Sequence, residues 1–179
     1  MTTPMTPIPF PLSSIENKLD PLDRTPVGDR DKGPKIQLCI ELREKEVIRR
    51  KTSKKKVSHE LVLEIAVLFI KNLPRRKLAG NSGAPGAFVK VRFGNVIHST
   101  ELKMDKKNDE KVDFIEVFQF PLAKVEDVQG KTMEVLVCDK KLTRNSTVFG
   151  EATINVDDVF LGKPICKWYN LDPSAAMPS

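Results

Sequence analysis

Hydrophobic and polar positions alternate with a period of two in the first strongly patterned part of the chain. Ile36, Leu38, Ile40 and Leu42 alternate with mostly polar residues. This alternation predicts a strand with one face buried and one face exposed. A second strand, more deeply buried, is predicted from residue 60 to residue 70, where a nearly continuous apolar run ends at the sequence NLP.

Several shorter segments of the same kind follow. Strands are predicted at residues 87–93, 97–104, 114–120, 132–138 and 148–156. Each is bounded by Gly, Pro, Asn or Asp, and short strands at such spacing are typical of an all-β sandwich. Only residues 123–128 and 156–162 have the character of brief helical turns.

Composition separates this patterned region from the ends of the chain. Residues 1–34 hold 7 of the 13 prolines among Ser, Thr and charged residues. Such a segment has too little apolar surface to offset the entropy of ordering. We therefore expect a disordered Pro-rich tail over residues 1–34, one domain over residues 35–171 and a disordered C-terminus over residues 172–179.

The chain carries no pattern of a targeting or membrane-spanning segment. Its N-terminus lacks the charged and then apolar organisation of a signal peptide. The longest apolar run, residues 61–70, includes Glu64 and is far shorter than the roughly 20 residues that cross a bilayer. We expect a cytoplasmic protein, with any membrane contact peripheral.

The charge balance indicates the kind of partner, and the cysteine content indicates the redox state of the thiols. Lys and Arg outnumber Asp and Glu by 30 to 24, which favours an anionic partner. The three cysteines, Cys39, Cys138 and Cys166, form no CxxC pair, and their odd number argues against a complete disulfide framework. We expect reduced, buried thiols.

The predicted strands also resemble a known family. The segments LVLEIAVLFIKNLP, AFVKVRF, FIEVFQFPL, KTMEVLVCD, VFGEATINV and WYNL resemble, in order and spacing, the strands of C2 domains of the synaptotagmin type. The resemblance covers residues 36–171 and implies an eight-stranded antiparallel Greek-key β-sandwich, in which Trp168 helps to seal the core. It implies a binding module rather than an enzyme, without a cofactor.

The resemblance further implies that a calcium site has been lost. Aspartates on loops at one end of the sandwich bind calcium in this family, because a hard cation needs several carboxylate oxygens. Matching the motifs places Lys77 and Gly86 at the first two of these positions and Lys141 and Thr147 at two others. Asp139 is left as a lone vestigial ligand position. We predict that no calcium or other metal binds there.

Three groups of basic residues are candidates for binding phosphatidylserine, phosphoinositides or an acidic protein. The loop tips carry Arg75, Arg76, Lys77, Lys140, Lys141 and Arg144. The strands that the resemblance assigns to the concave face carry Lys90, Arg92, Lys103, Lys106 and Lys107. A basic connector at residues 43–56 carries Arg49, Arg50, Lys51, Lys54, Lys55 and Lys56.

The basic connector allows several interpretations. It could anchor the domain on an acidic membrane, act as a nuclear-localisation signal, or be a solvated hairpin loop. Few aromatic residues lie beside it, which disfavours nucleic acid as the partner because bases bind by stacking on aromatic rings. Thr52 and Ser53 follow arginine, and their phosphorylation would weaken an electrostatic anchor.

Motifs of catalysis do not occur. His59 and His98 lie far apart and lack the HExxH spacing of a metal site, and the Gly-rich residues 80–86 lack the Lys of a phosphate loop. The sequence therefore favours a calcium-independent C2 adaptor that binds acidic membranes or trafficking proteins through basic surfaces. A protein-interaction scaffold without lipid binding and a nuclear or nucleic-acid-associated protein are the alternatives.

Overall fold

The structure, a computed structural model, describes residues 33–51, 54–73, 86–104, 111–140 and 146–173. In these ranges the chain forms nine strands and one short 3₁₀ helix. The strands are β1 Lys35–Lys51, β2 Lys54–Lys71, β3 Gly86–Phe93, β4 Val96–Ser99, β5 Lys103–Met104, β6 Lys111–Leu122, β7 Thr132–Lys140, β8 Ser146–Asn155 and β9 Ile165–Asn170. The 3₁₀ helix, Val125–Val128, lies between β6 and β7.

The strands form two antiparallel sheets. Sheet A has the order β6-β2-β1-β9, so that the last strand pairs with the first. Sheet B has the order β4-β3-β7-β8, and the two-residue strand β5 also pairs with β3. This arrangement confirms the predicted all-β Greek-key sandwich.

The core lies between the two sheets and follows the predicted alternation. Ile36, Leu38, Ile40 and Leu42 of β1 are all buried and belong to one hydrophobic cluster. Alternate residues of the other strands, such as Val89 of β3, meet them from both sheets. Because successive side chains of a strand point to opposite faces, the pattern of the sequence alone was sufficient to locate this core.

The predicted strand at residues 97–104 is interrupted. The break lies at Thr100, which is buried and binds both backbone polar groups of Val89. The Thr100 N–H donates to the Val89 carbonyl at 2.9 Å, and the Val89 N–H donates to Thr100 Oγ1 at 2.9 Å. A side chain thus replaces one step of the backbone ladder, so β4 and β5 are separate strands.

Of the two predicted helical turns, only the first forms a helix. The 3₁₀ helix Val125–Val128 confirms the first of them. Residues 156–162 instead form turns with two isolated bridges, Phe160 to Lys163 and Leu42 to Leu161. Among the described residues, no helix is long and apolar enough to cross a membrane.

The basic connector at residues 43–56 differs most from the sequence-based expectation. Strands β1 and β2 pair without a register shift from Leu42 and Leu63 to Lys51 and Lys54, so residues 43–51 and 54–56 of the connector are themselves strand residues. The β-branched residues of this segment favour such an extended backbone. We call residues 43–51 and 54–60 the arm, because β6 ends opposite Leu61.

The cysteines also depart from the expectation of three reduced thiols. Cys39 and Cys166 lie directly opposite each other in β1 and β9 and form a disulfide. Only their register in sheet A brings them together, since they are 127 residues apart in sequence. Cys138 is a buried thiol, whose pKa is raised by burial despite the opposing charge of Lys90.

Candidate functional site

The register of the arm sorts its charges between two faces. On β1, Leu42 points into the core, so the alternation places Glu44, Glu46 and Ile48 on the same side, which we call the inner face. The residues between them lie on the opposite side, which we call the outer face and which continues the exposed surface of sheet A. The described cations on this side of β1 are Arg43, Lys45 and Arg49.

Strand β2 continues the same division, because directly opposite residues of an antiparallel pair share a face. Lys56 and Glu60 lie opposite Arg49 and Lys45 and belong to the outer face. Lys55, Val57 and His59 alternate with them on the inner face. The described side chains of the outer face are therefore four cations and one carboxylate, whereas those of the inner face are one cation and two carboxylates.

The end of the arm has a second electrostatic feature. Three consecutive cross-strand pairs consist of two cations each, namely Arg49 with Lys56, Arg50 with Lys55 and Lys51 with Lys54. Arg49 and Lys56 are like charges directly opposite each other, which destabilises an antiparallel ladder, and a bound anion would reduce their repulsion.

Polar contacts connect the arm to sheet A at its root. Arg43 Nη1 lies 3.2 Å from Glu64 Oε1, and Gln119 Nε2 donates to Glu64 Oε2 at 2.7 Å. Lys45 Nζ donates to Gln119 Oε1 at 2.9 Å. These contacts join β1, β2 and β6, so they orient the outer face of the arm relative to sheet A.

An ion pair near the middle of the arm contributes less to stability than the contacts at its root. Arg49 Nη2 lies 2.7 Å from Glu60 Oε1, with side chains 70% and 41% exposed. Exposed pairs of this kind are worth about 0–1 kcal/mol. Arg49 therefore remains available to an external anion.

The predicted concave basic face is not assembled as expected. Lys90 and Arg92 share the exposed surface of sheet B, but Arg92 is ion-paired with Glu134 on the adjacent strand, with Nε donating at 2.8 Å. Lys103 lies opposite Ala87, whose side chain is buried, so its register position belongs to the other side of the sheet. Lys106 and Lys107 lie outside the described residues.

Other predicted residues lie wholly or partly outside the described ranges. These are Arg75, Arg76, Lys77, Lys141 and Arg144 of the loop tips, and Thr52 and Ser53 between β1 and β2. Lys140 is the last residue of β7. Their roles in binding and phosphorylation remain predictions.

The position that the sequence resemblance assigns to a calcium ligand lies at the edge of the core. Asp139 is 1% exposed near the end of β7, with Ala87 and Thr147 as its register partners. The described ranges contain no group of three or more His, Cys, Asp or Glu residues that could hold a metal ion. The expected loss of calcium binding stays a prediction, because the substituted positions Lys77 and Lys141 are outside those ranges.

Sequence reasoning missed a fourth basic group, at the end of sheet A remote from the arm. Lys35, Lys71 and Lys111 occupy one row of the register across β1, β2 and β6. Lys71 Nζ lies 4.5 Å from the centre of the Trp168 ring, and Lys111 Nζ lies 3.4 Å from that of Phe69. The three lysines are far apart in sequence, so only strand pairing reveals the row.

A comparison with known protein families identifies the family to which this fold belongs. The family model described as C2 domain matches residues 61–171, more than half of the chain. The chain belongs to the C2 domain family. C2 domains in general are modules that bind membranes or proteins and are not enzymes. The match begins at Leu61, so the matched residues include neither β1 nor the arm.

Solved structures agree with this assignment. The C2 domain A of RIM from Drosophila is similar with a TM-score of 0.58 and 16% identity, over 78% of this chain and 98% of that one. The third C2 domain of the KIAA1228 protein has a TM-score of 0.55 and 18% identity, over 87% of this chain and 97% of that one. The C2 domain A of RIM2 has a TM-score of 0.51 and 19% identity, over 76% of this chain and 97% of that one. At these identities the likeness shows the fold alone, and no curated protein sequence matches.

Proposed function

We propose that this C2 domain is a calcium-independent adaptor that docks on acidic phospholipid membranes through the outer face of its arm. The observation that carries the proposal is the sorting of charge, with four described cations and one carboxylate on that face. A surface of this composition attracts anionic headgroups without a bridging metal ion. The arm is not a catalytic element, and the proposal requires neither an enzymatic activity nor a cofactor.

The geometry suits a flat surface. Eight residues of an antiparallel strand span about 27 Å, so the arm can contact several headgroups at once. Each basic residue near an anionic membrane contributes about 1 kcal/mol, an effect that falls off within a Debye length of about 10 Å. Binding should therefore depend strongly on ionic strength.

The proposed location follows from the same chemistry. The cytoplasmic leaflet carries the acidic lipids, so we propose a location in the cytoplasm, peripheral to membranes, where the Cys39–Cys166 pair would be kept reduced. Membrane trafficking is the setting that we propose, and an acidic protein surface at the membrane could use the same cations.

Vesicle co-sedimentation tests the proposal. Vesicles with phosphatidylserine and phosphatidylinositol bisphosphate should bind the protein in EGTA, and binding should weaken as salt is raised. The outer-face variant Lys56→Glu should bind about tenfold more weakly. The substitution replaces the like-charge pair with Arg49 by an opposite-charge pair, so the arm is stabilised and its unfolding does not account for the loss.

The matched control is Lys55→Glu, which makes the same change of charge on the inner face of the arm. It should bind as wild type. Loss of binding in the control alone would move the site to the inner face, and binding only in calcium would contradict calcium independence. Absence of vesicle binding together with salt-sensitive binding to RNA or DNA would favour the nucleic-acid alternative.

A further inference from the structure

A groove lies at the root of the arm, on the inner face and therefore away from the proposed membrane contact. It has a volume of about 660 Å³ and runs between the arm and the segment that follows β6. Leu61, Pro121 and Leu122 supply apolar parts of its lining, and Val125 on its rim is 42% exposed. The size is that of a site for a few side chains of a ligand.

The backbone beside this groove offers hydrogen-bonding groups. The Leu42 carbonyl accepts a hydrogen bond from the Gly162 N–H at 2.8 Å, so the backbone groups of Leu42 point away from β2. The register of the arm is continuous, and hydrogen-bonded pairs alternate along an antiparallel ladder. The N–H and C=O groups of Val57 and His59 therefore point outward along the edge of β2.

This edge of β2 is the same edge with which β6 pairs further along the strand. Strand β6 pairs with β2 as far as Leu122, opposite Leu61, and ends there. In the described part of the chain, no strand pairs with the same edge from Val57 to Glu60. An extended peptide could pair with this edge of β2 as an added strand, with alternate side chains entering the groove.

Charge selects the kind of peptide. The acidic residues Glu44 and Glu126 line the groove, against one ammonium group, that of Lys124, whereas the Glu60 carboxylate is paired with Arg49 on the outer face. A basic peptide residue would complement this excess, whereas an acidic one would be repelled. The apolar lining provides space for an aliphatic residue of the same peptide.

We propose that the groove and the edge of β2 bind an extended segment of a partner protein in which an aliphatic residue and a Lys or Arg lie two residues apart. The peptide adds as a strand beside Val57 and His59. Residues two apart in a strand share a face, so the aliphatic residue contacts Leu61 and Leu122 while the cation contacts Glu126. The arm thereby has two binding faces, an outer one for anions and an inner one for a cationic peptide. This second site does not depend on whether the outer face binds lipid.

Fluorescence anisotropy with a labelled peptide of repeating Val-Thr-Lys-Thr, which places Val and Lys on one face of a strand, tests the charge requirement. The peptide should bind the full chain, and a matched peptide with Glu in place of Lys should not. Glu126→Lys should weaken binding about tenfold. Glu151→Lys, the same change at an exposed position of sheet B, should leave it unchanged.

Val57→Pro tests the backbone requirement. Proline removes the outward N–H of Val57 but no hydrogen bond within the arm, and proline is tolerated at such edge positions. Peptide binding should be lost while the thermal unfolding midpoint stays within a few degrees of wild type.

Three results would overturn the proposal. They are equal binding of both peptides, no binding of the Lys peptide, and full binding by a folded Val57→Pro variant. Concentration-dependent self-association that Val57→Pro abolishes would assign the edge to a second copy of the chain and also overturn it. Vesicle binding is measured separately, so failure of the peptide site is distinguishable from failure of the membrane proposal.

Discussion

His98 joins the two sheets at the residue scale. Its ring stacks on Phe118 with 5.2 Å between centroids and meets the edge of Phe120 at 4.8 Å. His98 belongs to β4 of sheet B and both phenylalanines to β6 of sheet A. Its Nε2 atom is buried and has no hydrogen-bond partner in the described structure. The histidine therefore has a packing role with an unsatisfied polar atom.

Two different substitutions of His98 separate the packing of its ring from the cost of its unsatisfied nitrogen. His98→Phe retains a stacked ring and removes the unsatisfied atom, so the free energy of unfolding should rise by about 1 kcal/mol. His98→Ala removes the ring and should lower it by about 2 kcal/mol. Urea unfolding measures both. A His98→Phe variant less stable than wild type would show that the imidazole makes a necessary polar contact.

Gly150 is required for a close approach of two backbones. A Cβ atom at this position would lie 2.9 Å from the Cβ of Leu171 and 3.2 Å from the carbonyl oxygen of Asp172. The adjacent Glu151 exchanges two backbone hydrogen bonds with Asp172, at 2.8 and 2.9 Å, so neither segment can retreat without cost. This explains the glycine in the sequence VFGE.

We expect Gly150→Ala to lower the free energy of unfolding by about 1–3 kcal/mol, the usual cost of overpacking. Gly33→Ala is the matched control, because a Cβ there would meet nothing within 4 Å. Thermal or urea unfolding of the two variants checks the difference. Equal stability of both would indicate that the Leu171 segment moves freely away from β8.

At the scale of elements, the arm depends on the polar contacts at its root. The Glu64 carboxylate is only 2% exposed, and a buried charge is costly unless it is paired and hydrogen-bonded. Arg43 and Gln119 supply those contacts from the strands on either side. The network therefore holds β1, β2 and β6 in one register where the arm begins.

Removing one partner of this network should cost more than removing both. Arg43→Leu leaves Glu64 without its cation and should lower the free energy of unfolding by about 2–3 kcal/mol, since Arg43 itself is one-third exposed. The double variant Arg43→Leu, Glu64→Leu should recover most of this loss. A double-mutant cycle measured by urea unfolding provides the test, and strictly additive effects would exclude coupling between the two residues.

The disulfide acts at the scale of the whole molecule, because it joins the first strand to the last. A crosslink between residues 127 apart restricts the unfolded chain over nearly the entire domain. In the chain-entropy account, a loop of this length corresponds to about 5 kcal/mol, and measured values are usually about 2–4 kcal/mol.

We therefore expect dithiothreitol to lower the unfolding midpoint of the wild-type chain by several degrees. Cys39→Ala, Cys166→Ala should be insensitive to the reductant. Cys138→Ala should keep the sensitivity, because this thiol is not part of the crosslink. Wild-type midpoints that are equal with and without reductant, in protein shown by mass spectrometry to be oxidised, would contradict the expectation.

Much of the fold could be predicted from the order of residues alone. The alternation of Ile36, Leu38, Ile40 and Leu42 predicted both β1 and its buried face, because a strand has a side-chain period of two. The segment motifs predicted the C2 sandwich, which the family match and the solved structures confirm. The candidate site was predicted less well, because the sequence indicates that residues 43–56 are basic but not which face each cation occupies.

The sequence by itself determined the strand pattern, the core and the concentration of positive charge in residues 43–56. Only the tertiary structure decided which charges share a surface, since this depends on strand pairing between distant segments. Register placed Lys56 beside Arg49, separated Lys103 from Lys90, and brought Cys39 to Cys166. The physical reason is that local periodicity is encoded in neighbouring residues, whereas a binding surface is formed by cross-strand partners that no local pattern specifies.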